Sequence, residues 1–177
     1  MPPETLQGQS QMDSEKIILR PIEDTDVDQL HGLLNDSNNQ QLVGGSVIPR
    51  SRNEVLQWLQ AKRSAGDVCQ FAIETGGVFC GYVQLVSINR MDGHATLGIN
   101  INRQFQRKGV GRLALQQLHD FARNKLLLRK ILLYVRSDNQ PAVKLYLDLG
   151  YQKAGTLTQH VKTVSGYVGV EIMEFML

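Results

Sequence analysis

Apolar side chains return at Val27, Leu30, Leu33 and Leu34, the three-and-four spacing of a single helix face, and Asp24 or Thr25 is placed to cap it. Ser51 and Glu54 form a capping box ahead of Val55, Leu56, Trp58 and Leu59, with Gly66 closing that second helix. A short apolar run at 17–19, stopped by Arg20-Pro21, predicts a strand before both. The 42–49 link, with Gly44-Gly45, predicts no regular element. The rhythm then changes. Residues 68–74, 78–88 and 94–101 read as strands joined through Gly76-Gly77 and a turn at 90–93, hence as an antiparallel meander. In the third strand Ala95, Leu97, Ile99 and Ile101 share one face, while His94, Thr96, Gly98 and Asn100 share the other.

Helical spacing returns at 111–125, where Leu115, Leu118, Phe121 and Ala122 form the inner stripe. Residues 130–136 predict a strand, and 139–149 a helix with Pro141 in its first turn and Gly150 past its end. The segments 156–164 and 167–177 flank Ser165-Gly166, a two-residue hairpin signal. A strand–helix–strand unit over 94–136 predicts one parallel pairing with a right-handed crossover. The expected fold class is α/β (α+β), a mixed, mostly antiparallel sheet. Residues 1–14 are polar and aperiodic, so a flexible tail is expected ahead of a single domain over 15–177.

Composition narrows the class. With 42% hydrophobic residues, 177 residues suffice for one sizeable core. The longest apolar runs, 126–128 and 131–135, fall far short of the ~20 residues that span a bilayer. The first sixteen residues lack both the basic start and the apolar stretch of a secretory signal. Cys69 and Cys80 are too few for a disulfide framework or a four-ligand zinc site. The expectation is a cytoplasmic protein with no membrane partner and no metal. The net charge of +2 hides an uneven distribution: nine bases between Arg103 and Arg136 against Asp120 alone, and six acids between residues 21 and 60 against Arg50 and Arg52. Such a basic run serves a polyanionic ligand or is a solvated face. A nucleic-acid partner is not expected, because no aromatic platform accompanies it.

The candidate chemistry lies in Gln106-Arg107-Lys108-Gly109-Val110-Gly111-Arg112, between a strand and a helix. A helix's first turn offers backbone N–H groups without internal partners and a partial positive charge. Glycines let that backbone approach a diphosphate, and Arg107, Lys108 and Arg112 supply countercharge. A nucleoside-triphosphate loop is rejected, since Lys108 precedes the glycine and no Lys-Ser/Thr follows. A dinucleotide fingerprint remains a rival, because Gly109-x-Gly111-x-x-Ala114 satisfies it and would imply an NAD-dependent enzyme. Against it, antiparallel strands precede the motif and a polar link, 102–108, separates strand from glycine.

Further along stands Asn139-x-x-Ala142-x-x-Leu145-Tyr146-x-x-x-Gly150-Tyr151. Taken with Gln106–Gly111, this order of motifs resembles the GNAT acyltransferase superfamily over about residues 17 to 177. Leu19-Arg20-Pro21, Gly155-x-Leu157, Gly166-Tyr167 and Met173 are similar to its branch of ribosomal-protein-alanine and polyamine N-acetyltransferases. The resemblance implies a twisted sheet with a splayed parallel strand pair, helices on both faces, and transfer of acetyl from acetyl-CoA to a primary amine by direct attack in a ternary complex. It implies that Gln106, Arg107, Lys108, Gly109, Val110, Gly111 and Arg112 hold the coenzyme's pyrophosphate. Ile99 and Ile101 would meet the pantetheine arm through their backbone, and Asn139 either bonds that arm or caps its helix. Tyr146 is implied as the acid that protonates the departing sulfur.

The base is left open. Relatives carry a glutamate near the position of Thr96, which this chain lacks; His94, Glu74, Glu171 and a water relay are the candidates. The missing glutamate keeps a non-catalytic acyl-CoA-binding module as an alternative. His31 and His119 read as surface or packing residues, Trp58 as a core or interface anchor, and both cysteines as small buried hydrophobes. The acceptor (protein N-terminus, polyamine or small amine) and a homodimer are left open.

Overall fold

The computed structural model describes residues 17–43 and 48–177, so the expected tail at 1–14 and Gly44-Gly45 of the 42–49 link lie outside the described residues. β1 (Ile17–Arg20) leads through a 3₁₀ turn at Asp24–Asp26 into α1 (Val27–Asn35). All four apolar positions of α1 are buried, as their spacing predicted. Its entry is built differently from the expectation. Asp26, rather than Asp24 or Thr25, accepts from the Glu23 N–H at 2.8 Å and takes Arg20 in a two-pronged pair at 2.7 and 2.8 Å. Burial pushes the Asp26 carboxyl up, but Arg20 and the Glu23 N–H outweigh it and hold the group below the usual carboxylate range.

A further helix, α2 (Ser37–Val43), was not expected, because Ser-Asn-Asn-Gln-Gln has no apolar stripe. Side-chain amides and a cap hold it instead. Asp36 accepts from the N–H groups of Asn38 and Asn39, and Gln40 donates to the Leu33 carbonyl at 3.1 Å. α3 (Arg52–Ser64) opens on the expected capping box, with Ser51 N–H to the Glu54 carboxylate at 2.7 Å and Glu54 N–H to Ser51 Oγ at 3.2 Å.

Among the described residues, seven strands form one sheet in the order β1, β2 (Cys69–Thr75), β3 (Val78–Asn89), β4 (His94–Ile101), β5 (Lys130–Arg136), β7 (Gly166–Met176), β6 (Gln152–Thr163). Every pairing is antiparallel except β4 with β5, bridged by α4 (Val110–Asn124). α5 (Gln140–Asp148) joins β5 to β6. The hairpin residues are Val164-Ser165, one earlier than expected, with Gly166 opening β7 at φ +128°. Strand alternation gives the sheet two apolar faces. Ala95, Leu115, Leu118, Ile131 and Leu133 pack on the α4–α5 side, whereas Leu30, Leu59, Ala72 and Tyr82 pack with α1 and α3. No helix among the described residues is long and apolar enough to cross a membrane.

One buried base sits in the first core. His119 Nε2 and the Tyr151 hydroxyl are 2.8 Å apart, and the imidazole stacks on Phe175 at 4.6 Å. Burial, helped by Arg123, pushes its pKa down to about 4. A histidine that is neutral when folded but free to protonate when unfolded stabilises the fold fully above its unfolded pKa of about 6.5. That stability is lost as pH falls from there towards 4, by roughly 3 kcal/mol. Urea midpoints measured between pH 7 and pH 4.5 should therefore fall. His119→Leu should flatten that slope, and an equal slope in both proteins would show that His119 is not its source.

Candidate active site

β4 and β5 pair at three positions only, His94 with Lys130, Ala95 with Ile131 and Thr96 with Leu132. Beyond Thr96, β4 stays on β3 as far as Ile101, while β5 stays on β7 as far as Arg136. The two strands therefore fork. Asn102 N–H donates to the Cys80 carbonyl of β3 at 2.8 Å. Alternation along the strand then turns the N–H and C=O of Ile99 away from β3 and into the gap. The Ile101 carbonyl on the same edge already accepts Gln106 Nε2 at 2.8 Å and Asn39 Nδ2 at 3.2 Å.

The glycine-rich turn follows directly. After the Gln106 N–H closes on the Arg103 carbonyl, the next ladder bond starts at Leu113 N–H to the Gly109 carbonyl. Among the described residues, no N–H from Arg107 to Arg112 closes a well-formed hydrogen bond. Arg107 (φ +59°) and Gly109 (φ +82°) are both left-handed, a backbone conformation from which anion-binding nests are built. Arg107 and Lys108 are exposed and have no ion-pair partner among the described residues, whereas Arg112 lies 3.3 Å from Asp148 of α5.

Three elements converge on Gly111. A Cβ there would stand 3.2 Å from Ile101 Cδ1 and 3.3 Å from Leu145 Cδ2, so the end of β4, the first turn of α4 and the middle of α5 meet around a residue without a side chain. Beside Leu145, Tyr146 is 7% exposed, its ring 5.5 Å edge-on from Tyr151. Its hydroxyl makes no hydrogen bond among the described residues, and burial pushes its pKa up to about 12. Asn139 caps α5, its side-chain oxygen accepting from Ala142 N–H at 3.4 Å.

The candidate bases are not gathered at the fork. Glu74 is bonded to Arg20 at 2.6 Å near the β1 edge, two strands from β4. Glu171 is held by Lys153 at 2.6 Å and Thr156 at 2.8 Å, which pull its pKa down. His94 stands at the closed end of the fork opposite Lys130. Several acids of residues 21–60 are taken up by cations. Asp24 pairs with Arg63, Asp26 with Arg20 and Asp28 with Arg52. Asp36 and Glu54 are helix caps, and Glu23 stands at the 3₁₀ entry beyond β1.

The basic run likewise separates on folding. Arg123 is thirteen residues along α4 from Val110, about 20 Å at 1.5 Å per residue, and Lys130 and Arg136 pair with Glu174 and Asp138. Among the described residues, no group of three or more His, Cys, Asp or Glu could hold a metal ion.

One side chain at the fork escaped the sequence reading. Asn39 of α2 donates to Asn100 Oδ1 at 2.5 Å and to the Ile101 carbonyl, and accepts from Gln106 Nε2 at 3.3 Å. Asn100 Nδ2, buried beside the Tyr82 hydroxyl, closes no well-formed bond of its own. These amides tie α2 to both ends of the 101–106 link. The only local signal was Asp36 placed to cap a turn, because the partners lie more than sixty residues away.

Residues 16–152 match the acetyltransferase (GNAT) domain family. The spermidine N(1)-acetyltransferase of Escherichia coli (strain K12) is 33% identical over 145 residues, 81% of this chain and 77% of that protein. The N-alpha-acetyltransferase RimI of Mycobacterium tuberculosis is 32% identical over 94 residues, 52% of this chain and 56% of that one. The crystal structure of spermidine N-acetyltransferase from Vibrio cholerae in complex with CoA and spermine superposes with a TM-score of 0.85, at 26% identity over 90% of this chain and 95% of that one. In a dinucleotide fold the glycine motif opens a run of parallel strands. Here a single parallel pair sits in an antiparallel sheet, so the NAD-dependent alternative does not hold. The fork, the unpaired turn and these matches agree: the chain belongs to the GNAT acetyltransferase family.

Proposed function

We propose that this protein transfers the acetyl group of acetyl-CoA to a primary amine, both bound at once. The observation that carries the reading is the row of unpaired N–H groups from Arg107 to Arg112 at the mouth of the β4–β5 fork. Those N–H groups, with Arg107 and Lys108 beside them, suit a diphosphate. The open N–H and C=O of Ile99 suit an amide-bearing arm laid along the strand in place of β5. Ile101 contributes its side chain at the mouth rather than its carbonyl, which Gln106 and Asn39 occupy. Gln106 thus shapes the turn, and Asn139 acts on α5 as its cap.

In the transfer itself, the amine nitrogen bonds the acetyl carbon, the carbon–sulfur bond breaks, and the sulfur takes a proton. Tyr146 is the donor in this reading: a buried phenol kept protonated, with no other hydrogen bond to make. The backbone N–H of the splayed strand is the donor for charge on the acetyl oxygen. Glu74 and Glu171 are held by Arg20 and Lys153, so in this reading water carries the amine's proton away.

A thermal-shift titration followed by an amine-dependent thiol-release assay tests the reading. Acetyl-CoA should raise the unfolding temperature where NAD does not, and thiol release should require an amine. Absence of protection at millimolar acetyl-CoA overturns coenzyme binding; protection without turnover across amines leaves a non-catalytic acyl-CoA module.

A further inference from the structure

α2 lies against α1, β4 and β5, so it bridges the two arms of the fork. Asn39 is buried there, and its hydrogen bonds have a fixed polarity. The Ile101 carbonyl only accepts, so Asn39 Nδ2 at 3.2 Å and Gln106 Nε2 at 2.8 Å both donate to it. Asn39 Oδ1 then faces the other hydrogen of Gln106 Nε2, at 3.3 Å. The other hydrogen of Asn39 Nδ2 goes to Asn100 Oδ1, at 2.5 Å. One backbone carbonyl thereby orients three side-chain amides, and both polar atoms of Asn39 are engaged.

Gln106 carries this arrangement to the coenzyme turn. Its own N–H closes on the Arg103 carbonyl, and the unpaired row begins at the next residue, Arg107. The backbone N–H groups stay without a partner among the described residues until Leu113. Their direction is therefore set from two ends, by α4 behind them and by the Gln106 side chain ahead of them. Without Asn39, a Gln106 amide hydrogen and a lone pair of the Ile101 carbonyl both lose a partner where water has little access.

We propose that Asn39 is a positioning residue of the coenzyme site. It holds the 106–112 turn through Gln106 and the Ile101 carbonyl, so that coenzyme binding and the docking of α2 on the fork are coupled. This rests on the transfer reading, which places the diphosphate at that turn. Coupling between two sites is reciprocal. The factor in coenzyme affinity lost when α2 releases Gln106 must reappear as tighter α2 docking when the coenzyme is bound.

The test uses the full chain, with CoA affinity from isothermal titration and amide exchange at Gln40, whose N–H bonds the Asp36 carbonyl at 2.8 Å. Asn39→Asp keeps the side chain's shape but sets an oxygen against the Ile101 carbonyl. It should raise Kd for CoA about 10-fold, an ordinary size for a coupling between sites. KM for acetyl-CoA should rise with it, while kcat changes by no more than a few-fold. Asn39→Ala and Gln106→Ala should each weaken CoA, and the double variant by no more than the worse single one, because both act through the same bonds. In the wild type, saturating CoA should slow exchange at Gln40 by about the factor lost in Asn39→Asp. Exchange in α3, which packs on α1 and β2, should not respond.

Wild-type affinity in Asn39→Asp, or additive losses in the double variant, overturns the inference and leaves the transfer reading standing. So does exchange at Gln40 that ignores CoA or slows only as much as α3. A fall in kcat at unchanged KM overturns it too, by moving Asn39 to the amine's side of the reaction. If Asn39→Asp does not fold, the wild-type exchange measurement decides. A wild-type protein that does not bind CoA takes down the transfer reading and this inference with it.

Discussion

Gly111→Val should lower kcat/KM for acetyl-CoA at least 1,000-fold, about 4 kcal/mol, and abolish the coenzyme's thermal protection. The reason is space rather than backbone. Gly111 lies in the regular first turn of α4, so a valine there is not strained by its own dihedrals. Its Cβ, however, starts 3.2 Å from Ile101 Cδ1 and 3.3 Å from Leu145 Cδ2. Two methyl groups beyond it press on the tips of the Ile101 and Leu145 side chains, which must turn aside, and they stand beside the N–H groups that face the mouth. Gly109 is the contrasting case. Nothing lies within 4 Å of a Cβ there, but φ is +82°. Gly109→Ala should therefore cost about 1–2 kcal/mol of folding stability through the left-handed backbone, with a smaller loss of coenzyme affinity. Isothermal titration with CoA on both variants separates the two causes. Wild-type affinity in Gly111→Val would remove this corner of the fork from the coenzyme site.

Tyr146→Phe should lower kcat about 1,000-fold, within the range that a placed acid contributes, with KM for acetyl-CoA changed by no more than a few-fold. Folding should survive, because the hydroxyl makes no hydrogen bond among the described residues and the ring stays to fill its place against Tyr151. With its pKa pushed up to about 12, the phenol remains protonated throughout any practical assay, so its loss should not move a break in the pH profile. The neighbouring Tyr151→Phe provides the opposite pattern. It removes the hydroxyl from His119 Nε2 and should cost about 1–2 kcal/mol of stability while leaving most of kcat. Equal kcat in Tyr146→Phe and wild type rules the acid role out. A deficit of similar size in both tyrosine variants would instead point to packing of the aromatic cluster.

Much of this architecture was legible in the chain because it depends on short-range regularities. The apolar faces of α1, α3 and α4, the caps at Ser51 and Asn139, and the glycine after α5 are all decided within one or two turns, where spacing and terminal hydrogen bonds dominate. The strand-to-helix turn at 106–111 was readable for the same reason: unpaired N–H groups and left-handed glycine are properties of the local backbone.

What folding alone decided is who stands beside whom. α2 has no apolar period; among its described side chains Asn39 and Gln40 reach Asn100, Ile101 and Leu33, and Asp36 caps its start. Acids and bases that looked like patches along the chain became pairs across it. Asp28 meets Arg52, Glu74 meets Arg20 and Lys130 meets Glu174, so a run of one charge did not become a field of that charge. Charge acts over ångströms in space, and nothing in a one-dimensional order says which opposite charge will arrive. The helices with an apolar period and the turn could therefore be read from the chain itself, whereas the charge partners and the place of α2 at the fork were settled only when distant segments met.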